Sequence, residues 1–189
     1  AVAAHDAVIN AITAANFASI CHTGLSANFD SDDLADIRGT LKTAKYRLDQ
    51  TNIVLQPDYY TALSKDNGIS DFSASHDDVM STGILHNKSG MGLVEDESLP
   101  PSGGTPETEN LVGFAATKAA MMIAMRAPVS QDPDDFIFYR TMTDPDTNIV
   151  MVYSAWHKRQ TRVVYRAFEA LLGIGVGNTE ALQRIRSAA

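Results

Sequence analysis

The side chains with chemical potential lie in five short stretches, and each is tested by the spacing its chemistry would require. Cys21-His22 holds a thiol beside an imidazole. Neighbours in sequence are not thereby placed facing each other, and no GxSxG elbow accompanies them. His76-Asp77-Asp78 carries metal-ligating types, yet no partner His or Cys recurs at ligand spacing, and His5, His22, His86 and His157 stand singly. Asp144-Pro145-Asp146-Thr147-Asn148 opens like a calcium loop. Such a loop needs Gly at its sixth position and Glu at its twelfth, and those positions hold Ile149 and Ala155. A Pro-containing turn accounts for the same residues.

Two glycine-rich stretches fail in the same way. Gly173-Ile174-Gly175-Val176-Gly177 is spaced GxGxG, and only twelve residues follow it. A dinucleotide unit needs GxGxxG, a full helix, a second strand and an acid about 20 residues on. A close-packed strand end is the better reading of these glycines. Gly83–Gly92 (GILHNKSGMG) has Lys88 and Ser89 but not the order of a phosphate loop. The sequence therefore assigns no catalytic, cofactor-binding or metal-binding residue, and the chain reads as a non-enzyme that needs no cofactor.

Charge is more informative than any of these. The 189 residues carry a net charge of −8, which argues against whole-surface binding to nucleic acid. The distribution is uneven. Asp66 to Glu109 contains nine acids, Glu95, Asp96 and Glu97 among them, against the single base Lys88. From Val150 onward Lys158, Arg159, Arg162, Arg166, Arg184 and Arg186 outnumber Glu169 and Glu180. An acidic lobe and a basic lobe suit head-to-tail association of copies, or one face turned toward nucleic acid. Candidate interface residues are Lys158, Arg159, Arg162 and Arg166 on one side, and Lys88, Glu95, Asp96 and Glu97 on the other. Cys21 is alone, so no disulfide forms within the chain, and no apolar run reaches the roughly 18–20 residues of a membrane span. The start lacks both the basic region of a signal peptide and an initiator Met, which suggests a processed chain or a fragment.

These residues are carried by a mixture of helices and strands. Ala3–Ser19 has helical spacing, with Val8, Ile12 and Ala15 on one stripe. FDSDD is a helix start, capped by Asp30 or Ser31 with Asp32 and Asp33 in the first turn. That helix is expected to reach about Leu48, burying Leu34, Ile37, Leu41, Ala44 and Leu48, with Gly39 tolerated inside it. Asn52–Leu55 reads as a buried strand and Pro57 as the start of a helix that buries Tyr59, Tyr60 and Leu63 and ends at Asn67-Gly68. Ile69–Glu109 has little pattern, and its part from 83 to 109 is read as an exposed loop.

The apolar stretch Asn110–Pro128, with Lys118 and Arg126 as its only charges, reads as packed against something. A helix also fits its period; strand, turn at Thr117–Ala120 and strand at Met121–Arg126 is the reading preferred. Phe136–Arg140 is a strand. Asn148–Trp156 and Thr161–Leu171 form a hairpin about the polar turn His157–Gln160. Thr179–Ser187 is a basic tail with helical potential.

Taken in order, four pieces resemble the major capsid proteins of tailed phages, of the Hong Kong 97-type fold. They are an amphipathic helix leading to NIVLQPDYYTALSKDNGI, a loose acidic loop with ESLPP, the passage ENLVGFAATKAAMMIAMRAP, and the closing TDPDTNIVMVYSAWHKRQTRVVYRAFEALLGIGVGNTEALQRI. The resemblance covers the C-terminal two-thirds of such a protein; the N-terminal arm and extended loop have no counterpart here. It implies an α+β fold with an axial domain (a mixed sheet flanked by helices) and a peripheral domain (spine helix plus long β-hairpin). Residues 1–29 would end the spine helix, 30–130 would form the axial domain, and 131–189 would return to the peripheral domain. It further implies self-assembly through pentamers and hexamers into an icosahedral shell around phage DNA. Scaffolding and portal proteins would be further partners, without a membrane, and the product would reside in the virion after assembly in the host cytoplasm. A cellular nanocompartment shell of the same fold, or an orphan α+β enzyme with a loop lid, are the alternatives.

Overall fold

In the computed structural model the described residues are 2–66, 85, 89–99, 110–129, 136–145, 149–158 and 163–188. His76-Asp77-Asp78, His86, Lys88, Arg159, Arg162 and the expected helix end at Asn67-Gly68 lie outside them. The elements run α1 (Val2–Asn10), β1 (Ile20–Gly24), α2 (Ser31–Thr43), β2 (Thr51–Leu55), α3 (Pro57–Lys65), β3 (Gly92–Glu95), β4 (Leu111–Thr117), β5 (Met121–Arg126), β6 (Phe138–Thr143), β7 (Val150–Lys158), β8 (Val163–Glu169), β9 (Leu171–Val176) and β10 (Leu182–Ser187). This is the mixed α+β composition expected. The chain divides into two compact units: residues 1–121 with 176–189, and residues 122–175. Segments 1–29 and 176–189 thus share the first unit with the 30–121 region.

The first unit is built on a five-stranded mixed sheet in the order β1-β10-β4-β2-β3. β4 runs antiparallel to both β2 and β10, while the outer pairs β1–β10 and β2–β3 are parallel. Gly113 of β4 sits opposite Leu55 on one side and Ile185 on the other. A Cβ there would lie 2.7 Å from the Val54 carbonyl oxygen, so only glycine fits between those neighbours. α2 and α3 bury Leu34, Ile37, Leu41, Tyr59, Tyr60 and Leu63 together with Ile53, Leu55, Val112, Ala115 and Ile185 of the sheet. A smaller cluster gathers Ile9, Ile12, Phe17, Leu99, Leu111, Ala120, Ala181 and Leu182.

Local chemistry sets these helices. Asp30 accepts from the amides of Asp32 and Asp33 at 3.0 and 3.1 Å, and Asp33 returns an acceptor to the Asp30 amide at 3.3 Å. That is a capping box, and it anchors the expected start of α2. For α3, Gln56 accepts from the Asp58 amide at 2.9 Å, with Pro57 at the first helical position.

Several elements depart from the sequence reading. The N-terminal helix ends at Asn10, not Ser19: the Asn16 amide group donates to the Ala11 carbonyl at 2.8 Å, and the Thr13 carbonyl takes the Phe17 amide. Such local side-chain bonds compete with a helical ladder. α2 stops at Thr43 because Lys45 adopts a left-handed φ of 65°, which turns Tyr46 and Leu48 inward and leaves Ala44 exposed. The supposed exposed loop at 83–109 contains the edge strand β3, and Leu85, Met91, Leu93 and Leu99 are buried. The strand-turn-strand reading of 111–126 holds, but the second strand does not fold back on the first. β5 pairs with β9 instead, and its Met122 and Ile123 are exposed, so half of the apolar stretch is not core.

In the second unit β6-β7-β8 form an antiparallel meander. β7 and β8 pair as the expected hairpin would, and His157 and Lys158, expected in its turn, remain in β7, paired with Val164 and Val163. The strand read as Thr161–Leu171 is β8, Val163–Glu169, and its last residue Leu171 opens β9. Thr179–Ser187 is not a helical tail. Its Leu182–Ser187 is β10, inserted between β1 and β4, which is why Gln183 and Arg184 are buried.

Candidate subunit interface

The sequence-derived basic and acidic sets fall in different units. Glu95 ends β3, and Asp96 and Glu97 follow it in the turn of the first unit; Lys158 and Arg166 belong to β7 and β8 of the second. Glu95 and Glu97 are exposed. Asp96 is half-buried and structurally committed: it meets His5 Nε2 at 2.9 Å and accepts from the Ser98 amide at 2.9 Å, while its own amide donates to the Leu55 carbonyl at 2.9 Å. The acidic turn is therefore pinned to α1 and β2 with two carboxylates left pointing to solvent.

The meander of the second unit has two unlike faces, because successive side chains of a strand point to opposite sides. Register places Tyr139, Val152, Ser154, Trp156 and Tyr165 on one face. That face is covered in part by its own unit: the Tyr139 hydroxyl donates to the Pro128 carbonyl at 2.6 Å, and Phe136 meets Trp156 edge-on at 6.1 Å. Trp156 stacks on Tyr165 at 5.8 Å, and Val152 and Ser154 are buried.

The other face carries Phe138, Arg140 and Met142 of β6, Tyr153 of β7, and Val164, Arg166 and Phe168 of β8. Phe138, Tyr153 and Phe168 form an aromatic ladder across all three strands, with centroids 5.4 and 4.8 Å apart. Phe138 is 44% and Phe168 68% exposed, and Met142, Val164, Arg140 and Arg166 are exposed beside them. Sequence reasoning named Arg166 as a candidate and passed over the aromatic ladder beside it. Its signal was in the text: alternate residues of FYRTM and VYRAF place Phe, Arg and Met, or Val, Arg and Phe, on one side of a strand.

The groups examined for catalysis are held by the fold. Cys21 donates from Sγ to the Arg184 carbonyl at 3.5 Å, and burial pushes its thiol up to about 12, so it stays protonated. His22 lies with Nδ1 3.8 Å from Asp33 and its ring edge-on to Phe29 at 5.2 Å. Gly177 lets the chain approach closely: a Cβ there would lie 2.5 Å from the Ala119 carbonyl oxygen. Among the described residues no three His, Cys, Asp or Glu side chains gather as a metal site needs, and no helix is long and apolar enough to cross a membrane.

Comparison with solved structures decides the fold. The chain superimposes on the asymmetric unit of the bacteriophage PhiM1 mature capsid with a TM-score of 0.51 and 14% identity, over 88% of this chain and 51% of that one. The capsid of cyanophage P-SCSP1u gives 0.50 and 13%, over 93% and 50%. The chain has a phage capsid fold. A structure of Gordonia phage Cozz agrees, at 0.51 and 15% identity over 93% and 51%. The chain thus spans about half the length of the capsid-fold chains it matches. No family model matches it, and no curated protein matches it at a significant level.

Proposed function

We propose that this chain is the shell-forming part of a phage major capsid protein, acting by self-association and not by catalysis. The observation that carries this reading is the capsid fold shared with the PhiM1 and P-SCSP1u capsids over about nine-tenths of the chain. In the proposed shell the first unit takes the axial position around five- and six-fold capsomer centres, and the second unit takes the peripheral position. Copies close into pentamers and hexamers, the shell encloses phage DNA, and scaffolding and portal proteins complete the virion. The two charge sets support heterologous contacts, in which one patch of a subunit meets a different patch of the next and the rotation closes a ring. Individually weak contacts suffice, since a shell repeats them over many copies.

Negative-stain microscopy of the full-length product tests this directly. Polyhedral shells or capsomer rings are expected. A product that stays monomeric at high concentration, with or without scaffolding protein, overturns the reading.

A further inference from the structure

We infer that the first unit closes in two stages, and that its N-terminal segment and β10 form a clasp that shuts last, after the chain has run out through the second unit and returned. The buried residues show the division. Every described member of the larger core cluster lies between Phe29 and Ala115, except Ile185. Helices α2 and α3 and strands β2, β3 and β4 can therefore bury most of that core before β10 arrives. The smaller cluster is built the other way. It joins Ile9, Ile12 and Phe17, which precede β1, to Ala181 and Leu182 of the returning chain, against Leu99, Leu111 and Ala120.

The hydrogen bonds repeat the division. Among the described residues β1 has one strand partner, β10, and reaches the rest of the sheet through it. The Arg184 amide donates to the Ser19 carbonyl and the Ala188 amide to the Gly24 carbonyl, both at 3.0 Å. On the opposite flank the Ser187 amide donates to the Asn110 carbonyl at 2.8 Å. The seat for the returning chain is narrow. The Gly177 and Asn178 amides donate to the Ala120 and Ala119 carbonyls at 2.9 Å, and a Cβ on Gly177 would stand 2.5 Å from the Ala119 carbonyl oxygen. Residues 122–175 separate β4 from that seat. Pairing across so long a stretch costs loop-closure entropy before any contact offsets it, and forms slowly. Until β10 seats, β4 shows an unpaired edge, the kind of surface that recruits other chains. Both strands that receive β10 belong to this chain, so the clasp stands apart from the shell reading.

Refolding of the full chain from denaturant tests this with a probe the chain already carries, since Cys21 is its only cysteine and lies on β1. A short pulse of thiol reagent, given at increasing times, reads closure of the clasp. A matching pulse of deuterium exchange reads the amides of β2 and β4. Thiol protection is expected about tenfold or more later than protection of those amides. Gly177→Ala, which crowds the seat, is expected to delay thiol protection about tenfold further and to leave the β2 and β4 amides on the parent's schedule. A variant whose thiol stays reactive while those amides become protected supports the inference most strongly, because the core then stands with the clasp open. Parent protein that protects Cys21 together with β2 and β4, or before them, overturns the inference. So does Gly177→Ala protein in which thiol and amide protection change by the same factor.

Discussion

The two units of this chain treat apolar residues in opposite ways. In the first, the exposed large apolar side chains among the described residues are Ile20, Leu25 and Val94, against a core that includes Phe17, Leu34, Ile37, Leu41, Ile53, Leu55, Tyr59, Leu63 and Ile185. In the second, Val152 and Ala155 are the buried apolar side chains among the described residues, while Met122, Ile123, Val129, Ile137, Phe138, Val164, Phe168 and Leu171 are exposed. One unit spends its hydrophobic residues on itself; the other presents them outward. A small antiparallel sheet needs a packed face for stability, and this one has it on the side of Val152 and Ser154, with large apolar side chains left on the other.

The comparison predicts that equivalent substitutions read out differently in the two units. Large effects on folding belong to Gly113→Val and to Ile53→Ala. The branched valine side chain would collide with the Val54 carbonyl and with Leu55 and Ile185, and overpacking a central strand costs about 1–3 kcal/mol or more. Ile53→Ala, at a fully buried position, is expected to cost about 2–5 kcal/mol. Denaturant titration of the first unit's transition checks both. Phe168→Ser removes as large a side chain but should leave that transition unmoved within about 0.5 kcal/mol, while lowering the assembled fraction in sedimentation. Equal loss of folding stability from Phe168→Ser would erase the distinction between the units.

What the sequence disclosed follows the same division. Elements with local chemistry were legible: the Asp30–Asp33 box, Pro57 at its helix start, and the aromatic strands β6 to β8 all carry their cause within a few residues. Elements fixed by partners far along the chain were not. LQRIRS has no strand signature, yet it is the second strand of the sheet because β1 and β4 offer it two rows of backbone groups. GLVE was read as loop for the same reason, since only pairing with β2 makes it β3. ICHTG, too short and polar to announce itself, becomes the other edge. The candidate surfaces were unequally visible. Charge blocks are visible in one dimension, but the ladder Phe138–Tyr153–Phe168 exists only once three strands are in register.

Titration sharpens the contrast from the first unit's side. Burial pushes the Cys21 thiol up to about 12, and Tyr46, whose hydroxyl bonds the Glu180 carbonyl, is likewise raised to about 12. Both groups stay protonated in the folded chain at a pH where the unfolded chain has begun to lose those protons. Stability of the first unit should therefore be unaffected by them below pH about 8.5, the ordinary thiol value, and fall as pH climbs from there toward 12. Denaturation midpoints across pH 8 to 11 check the direction. Thiol labelling of the native protein should be slow throughout that range and become fast only on unfolding. Prompt labelling of native protein near neutral pH would show Cys21 to be exposed, against its packing beside β10 in the sheet.

The smallest expected change is a gain, and it asks whether the first unit's outer surface is free. Gly39 lies on the exposed side of α2, with helical backbone and no atom within 4 Å of a built Cβ. Glycine there keeps backbone freedom in the unfolded chain that alanine would remove, so Gly39→Ala should raise folding stability by about 0.5–1 kcal/mol. Asp30→Ala, at the other end of the argument on the same helix, should lower it by about 1 kcal/mol by leaving the Asp32 and Asp33 amides without their acceptor. If the α2 surface is bare in the assembled protein, both variants form particles as the parent does. If Gly39→Ala folds more stably yet assembles poorly, a neighbour packs against α2 at that glycine. The free face of the first unit would then join the aromatic face of the second as a candidate interface.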